Sequence, residues 1–303
     1  MNNINQYLNN SFQKISKLIK FGNQINLGSI HSGSQNQSGD LVKQLDLISH
    51  NIIVEEVSKS PNLFGYISEE HPNLVKIDFN RNLGNLETIE DFSPEKYVIA
   101  FDPLDGSSNI DSNITTGTIY GIYKFDPVNH RISKIVAAGY CLYGPATIWV
   151  RTDLDRVNMF QLNKNDEFEF VKNLGFGHDF NHQKIYSVNE SYFHLFFEDI
   201  KELILNFKNN NYNHRYIGSM ISDCHRTIIQ GGVFLYPKNK NRLNGKIRLL
   251  YEGLPFSLIF KYLGGVAYED LSIDIIDKYN KEGINLGNIH SASPIILSSK
   301  KLF

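Results

Sequence analysis

The sequence has only two cysteines in 303 residues, no long apolar run and no basic excess. Cys141 and Cys224 are too few for a disulfide framework or a cysteine-based zinc site. They read as small core residues in a reducing compartment, with the cytoplasm as the expected setting. No apolar stretch approaches the roughly 20 residues that a membrane span needs. The opening MNNINQYLNN has no charged region followed by a long apolar one, so no secretory signal is read. A formal net charge of −2, with 20% charged residues, excludes a general nucleic-acid or anionic-membrane binder.

What is present is chain enough for a large α/β core, as one unit or two coupled subdomains. One stretch organises it, VIAFDPLDGSSNID from Val98 to Asp111. The apolar run Tyr97 to Phe101, bounded by Pro and Gly, suits a buried central strand. Asp102 and Asp105 then stand at its carboxyl end, where open α/β sheets place their ligands. Pro103 fixes its own φ and biases Asp102 away from the helical region. Gly106 permits a sharp turn, and Ser107, Ser108 and Asn109 supply hydroxyls and backbone N–H groups that suit a phosphate. Carboxylates that collect divalent cations beside donors that accept an anion point to metal-assisted phosphate chemistry. A plain turn is the bland alternative for Asp-Pro-Leu-Asp-Gly alone.

Ile4, Leu8, Phe12, Ile15 and Ile19 recur at helical spacing. The stretch from Phe21 to Ser38, rich in Gly, Ser, Asn and Gln, is expected as a mobile loop. Asp40 to Val57 is read as a helix with Ser38 as its N-cap. Asp40 and Asp46 do not share a face at this spacing, so Asp40 belongs to the loop edge and Asp46 to the helix. Leu63 to Ser68 is a short strand, and Glu69 and Glu70 follow it. Like charges so close repel and favour a cation or a shared proton. His71 to Glu95 is read as a surface insertion. Thr115–Phe125 and Ile135–Val150 read as strands, and Met159–Val171 as a hairpin. Further on come a strand Lys184–Asn189, a helix Phe193–Phe207, a helix opening at Gly218-Ser219, a strand ending at Tyr236, a strand Lys246–Glu252, a helix Leu254–Leu263 and two tail strands. Such alternation supports a layered α/β architecture.

The DPLDGSSNID stretch resembles the signature of class I fructose-1,6-bisphosphatases, within the lithium-sensitive sugar and inositol phosphatases. SGDLVKQLD, the SEE at Ser68 to Glu70, AAGYCLYGPAT, RYIGSM and DCHR carry the likeness further, over about 24–299. The resemblance implies a layered αβαβα fold of two coupled subdomains, 1–175 for metal and catalysis and 176–303 for substrate. It implies hydrolysis of fructose 1,6-bisphosphate with two or three Mg²⁺ per site, Mn²⁺ being a substitute. The acids from separate segments offer oxygen-only ligation, which suits those ions rather than structural zinc. By resemblance, Glu69, Asp102, Asp105, Glu252 and the Leu104 carbonyl are metal ligands, joined by Asp40 on loop closure. Asp46 and Glu70 position and deprotonate the water. Gly106, Ser107 and Ser108 hold the scissile phosphate.

Asn189, Tyr192, Arg215, Tyr216, Tyr236 and Lys246 match the pocket for the distal phosphate, and Met220 lines the sugar. The likeness has Arg215 reaching from a neighbouring subunit, hence a homo-oligomer, with a tetramer expected. Family members inhibited by AMP carry an N-terminal nucleotide loop, and this chain begins about where that loop ends. Lys96 and Tyr97 match part of that pocket, Lys124 stands where an Arg is expected, and the resemblance does not carry AMP inhibition over to this chain. The span Phe125–Ile135 lacks the chloroplast form's redox insertion. His290 to Pro294 lacks an Arg common there. A sedoheptulose or inositol phosphate phosphatase is the neighbouring alternative. A silent sugar-phosphate sensor is the alternative of another class, disfavoured because a sensor has no need of Asp46 and Glu70.

Overall fold

Apolar residues four apart, Ile4, Leu8 and Phe12, share one face of helix α1 (Asn2–Gly22) and are wholly buried. Helix α2 (Gln44–Val57) packs beside it. The buried Glu56 of α2 accepts from Lys14 of α1 at 2.7 Å and from Lys59 at 2.8 Å. The computed structural model describes residues 2–22, 31–35, 41–77, 96–126, 128–177 and 182–302.

The two helices cover one face of a nine-stranded sheet. Its order runs from the edge Phe168–Leu174 through Arg156–Leu162, Thr147–Asp153, Arg131–Tyr143, Thr116–Asp126, Tyr97–Asp105 and Leu63–Ser68 to Val75–Lys76. Only Leu63–Ser68 and Tyr97–Asp105 pair in parallel, so both deliver their acids at the same end. Ile284–Asn285, from the far end of the chain, pairs with Arg131–Tyr143.

Helices α3 (Glu198–Asn209), α4 (Met220–Gln230), α5 (Leu254–Tyr262) and α6 (Ile275–Glu282) serve a second sheet. That sheet has six strands, ordered Asn213–His214, Ile185–Ser187, Val233–Tyr236, Ile295–Ser298, Val266–Asp270 and Ile273–Asp274. Its first three strands are parallel, and the rest antiparallel. Phe234, Ile295 and Leu297 turn inward to a core shared with α4, α5, α6 and the large sheet. Their neighbours Val233, Leu235 and Ile296 turn the other way, onto Ile200, Leu203 and Phe207 of α3. Period-two alternation thus buries both faces. The result is five layers: α1 and α2, the large sheet, α4 to α6, the small sheet, α3. This is the αβαβα stacking expected above.

Some elements differ from the reading. His31–Gln35 pairs antiparallel with Leu41–Lys43 as a ribbon within the expected loop and helix start, so α2 begins only at Gln44. The composition of His31–Gln35, without β-branched or aromatic residues, carries no strand signal. The expected insertion supplies an edge strand at Val75–Lys76, while 78–95 lies outside the described residues. The expected helix at Phe193 is a 3-10 turn Glu190–Leu195 followed by α3, which starts at Glu198. Lys246–Glu252 is not a strand throughout: Ile247–Arg248 pairs with Ala292–Ser293, and Leu249–Gly253 then coils into one π-helical turn. The Glu252 carboxylate bends back to accept the Arg248 N–H, which a strand would not allow. Helix α6 was not anticipated.

Candidate active site

Between the carboxyl ends of the two sheets' parallel strands lies a cavity of about 550 Å³. Its floor comes from the large sheet. The ladder between Tyr97–Asp105 and Thr116–Asp126 runs in register to Asp102 opposite Ile119, then jumps to Asp105 opposite Gly117. Pro103, which has no N–H to give, occupies that bulge. The Thr118 hydroxyl donates to the Pro103 carbonyl at 2.8 Å, and the Leu104 N–H to Asp102 Oδ1 at 2.9 Å. Both carboxylates are thereby aimed into the cavity. Gly106 follows at φ 77°, and a Cβ there would lie 2.8 Å from Ser219 Oγ, so no other residue fits the turn without strain. The 3-10 turn Ser107–Ser112 starts from it.

The π-helical turn brings Glu252 to the same point. One oxygen each from Asp102, Asp105 and Glu252 lies within 4.8 Å of the others. Glu69 also lines the cavity but stands outside that group. The electrostatics are strained. Burial, then Glu69, Asp105 and Glu252, push the Asp102 carboxyl well above its ordinary range. Burial, then Glu69 and Asp105, do the same to Glu252. Asp105 is pushed up to about 6, chiefly by burial, although the Ile221 N–H at 2.8 Å restrains it. Acids held this close ionise together only around a cation. The all-oxygen donor set fits a hard divalent metal.

The roof comes from the small sheet. Asn189 follows Ile185–Ser187, Tyr236 ends Val233–Tyr236, and Tyr216 follows Asn213–His214. These, with Tyr192, Met220 and Lys246, line the cavity opposite the acids. The Tyr216 phenol bonds to Asn189, and burial raises its pKa, so it stays a neutral donor. Lys246, phenols and an amide facing the acid cluster make a site for a molecule anionic at both ends.

The expected residues divide into three groups. Glu69, Asp102, Leu104, Asp105, Gly106, Ser107, Ser108, Asn189, Tyr192, Tyr216, Met220, Tyr236, Lys246 and Glu252 converge on the cavity. Asp46 is buried in the first turn of α2, and Glu70 follows Glu69 in the turn after Leu63–Ser68; neither lines it. Arg215 is exposed and does not line the cavity of its own chain. Asp40 lies outside the described residues.

Three residues escaped sequence reasoning. Asp223, wholly buried in α4, accepts from the Ser187 hydroxyl, the Ile217 and Gly218 N–H groups and Arg226, and so fixes the turn after Tyr216. Arg248 lines the cavity beside Glu252. His50, one turn after Asp46, lies 2.7 Å from Ser68 Oγ, which accepts the Glu70 N–H. The i, i+4 spacing from Asp46 was the signal available for His50.

Residues 1–173 match the family model described as the fructose-1-6-bisphosphatase N-terminal domain, and 180–302 match that of its C-terminal domain. The chain is 35% identical to fructose-1,6-bisphosphatase 1 of Mus musculus, over 98% of this chain and 87% of that protein. It is 37% identical to the fructose-1,6-bisphosphatase class 1 of a Sulfurihydrogenibium species, over 89% of this chain and 79% of that one. The crystal structure of Leishmania major fructose-1,6-bisphosphatase in holo form aligns with a TM-score of 0.85 at 30% identity, covering 99% of this chain and 90% of that chain.

Proposed function

The chain belongs to the fructose-1,6-bisphosphatase family, and from that premise we propose that it hydrolyses the 1-phosphate of fructose 1,6-bisphosphate to fructose 6-phosphate and phosphate. The observation that carries this reading is the single cavity with the acid triad Asp102, Asp105 and Glu252 at one end and Lys246 with three tyrosines at the other. A bisphosphate spans such a cavity, with its reacting phosphate at the acids and the second phosphate at the cationic end.

The family depends on metal, and we assign Mg²⁺, two or three ions, to Glu69, Asp102, Asp105, Glu252 and the Leu104 carbonyl, with Asp40 added from its loop. Bound there, the ions supply charge for the phosphate oxygens and an acidified water. Asp46 and Glu70, although neither lines the cavity, are the carboxylates that would hold such a water and accept its proton. Ser107, Ser108 and the backbone at Gly106 hold the scissile phosphate. Lys246, Asn189, Tyr192, Tyr216 and Tyr236 hold the distal phosphate, and Met220 packs along the sugar. Fixing the remote phosphate spends its binding energy on orientation at the reacting one. Arg215, exposed in its own chain, serves a neighbouring subunit's pocket in a tetramer. Residues 1–175 and 176–303 act as the metal-binding and substrate-binding subdomains. The buried free thiols Cys141 and Cys224 suit the cytoplasm.

The test is phosphate release from fructose 1,6-bisphosphate with Mg²⁺, against sedoheptulose 1,7-bisphosphate at equal concentration and with AMP added. Preference for the fructose substrate is expected, and the AMP arm reads whether a nucleotide inhibits a chain with Lys124 at that position. Equal or faster release from the longer sugar sinks the substrate assignment, and no release from either sinks the hydrolase reading.

A further inference from the structure

The turn that carries Glu69 and Glu70 ends at His71, whose carbonyl can only accept a hydrogen bond. His290 Nε2 lies 3.0 Å from that oxygen, 219 residues away in sequence, so Nε2 carries the proton. In a neutral ring Nδ1 is then an acceptor, and the Tyr251 phenol, wholly buried, donates to it at 3.0 Å. Burial holds the His290 pKa below its ordinary value, in keeping with a neutral ring.

The same segment is anchored through its backbone. Arg248 Nη1 donates to the His290 carbonyl at 2.7 Å, and the Leu249 N–H to the Ser291 carbonyl at 2.9 Å. The Arg248 N–H in turn holds the Glu252 carboxylate. One imidazole therefore joins the residue before Glu252 to the residue after Glu70.

We infer that His290 is a positioning residue: protonated on Nε2 alone, it ties the Glu69–Glu70 turn to the Glu252 turn and so sets the reach of Glu69 toward Asp102, Asp105 and Glu252. The inference rests on the reading of these acids as metal ligands. Glu69 stands outside the group of three whose oxygens lie within 4.8 Å, so its contribution depends on where its turn is held. Losing the tie frees the turn without removing any ligand. Partners that orient metal-binding groups in this way are worth about 10- to 100-fold in affinity.

The experiment measures Mn²⁺ binding to the full chain from the electron paramagnetic resonance signal of the free ion. It compares wild type with His290→Phe, His290→Gln and Tyr251→Phe, all checked for folding by circular dichroism. His290→Phe is expected to bind about tenfold more weakly. His290→Gln, whose amide can donate to His71 and accept from Tyr251, recovers most of that loss. If His290→Phe does not fold, Tyr251→Phe, which removes one hydroxyl, carries the test and is expected to bind several-fold more weakly. Wild-type affinity in whichever of these folds overturns the proposal, as does a folded His290→Gln no better than His290→Phe. A wild type that binds no Mn²⁺ sinks the metal reading and this inference together. A wild type that binds it with unaltered variants sinks this inference alone. In the metal-free protein, a long-range ¹H–¹⁵N spectrum is expected to show His290 protonated at Nε2 and bare at Nδ1. The opposite tautomer overturns the assignment by itself.

Discussion

Asp105 has two duties that one substitution can separate. Its charge belongs to the acid triad, while its Oδ2 accepts the Ile221 N–H at 2.8 Å and so anchors the first turn of α4. Asp105→Asn keeps an acceptor and loses the charge. It is expected to melt within a degree or two of wild type while kcat falls about a hundredfold or more, as when one preorganised group facing developing charge is removed. Substantial residual turnover means that Asp105 is not a metal ligand. Lys246 acts at the other end of the cavity, so Lys246→Ala is expected to raise KM about tenfold or more with a smaller change in kcat. Steady-state kinetics separate the two, and an unchanged KM counts against a distal pocket there. Asp102 and Asp105 were legible because Pro103 and Gly106 frame them with rare backbone demands. Asp223 was not, because DCHR gives no hint that one carboxylate will serve four partners. Its meaning lies in Ser187, Ile217 and Gly218, which meet it only in the fold.

At the scale of elements, the turn between Asn213–His214 and α4 is built on that carboxylate. Asp223→Ala leaves two N–H groups and the Arg226 guanidinium without their acceptor. A loss of about 3 kcal/mol in urea unfolding is expected, together with a raised KM, since Tyr216 sits in the same turn. A stable variant with ordinary KM shows that the turn holds itself. The π-helical turn Leu249–Gly253 was the element least open to sequence reading. Lys246 to Glu252 alternates polar and apolar at first, and that pattern suits a strand. What decides is Tyr251 and Glu252, one sent into the core and one returned to the Arg248 N–H. The ribbon His31–Gln35 was hidden for the opposite reason: Ser, Gly and Gln carry no strand preference. Long apolar periods were read well, as α1, α5 and the strand Thr116–Asp126 show, because burial fixes them whatever their neighbours do.

For the whole molecule, one separable part of the acid response comes from a histidine between layers. His225 of α4 meets the Tyr140 phenol of the large sheet at 2.8 Å, and burial lowers its pKa from 6.5 to about 4. Between those values the unfolded chain takes up a proton that the folded chain refuses. His225's own contribution therefore falls as pH drops from 6.5 toward 4, by at most roughly 3 kcal/mol, while the raised carboxyls of Asp102, Asp105 and Glu252 take up protons in the folded state and act in the opposite direction. Urea melts of wild type and His225→Gln at pH 7 and pH 5 check it through their difference: wild type shifts toward lower stability relative to the variant on going to pH 5, and an equal change in both acquits His225. A layered α/β architecture was legible from the alternation of strands and helices and its five-layer count only from the family resemblance, whereas the pairing of Ile284–Asn285 with Arg131–Tyr143 was not legible, since two residues carry no pattern. The core that spans the middle layers draws residues from Ile67 through Leu297. Its consequence reaches beyond this one molecule into heredity. A gene fragment for either half would encode an unclosed core and half a cavity, useless to a cell by itself. Insertions, fusions and exchanges are therefore confined to the periphery, such as the turn Asn163–Asp166 at the outer hairpin, while the two halves are obliged to change in step.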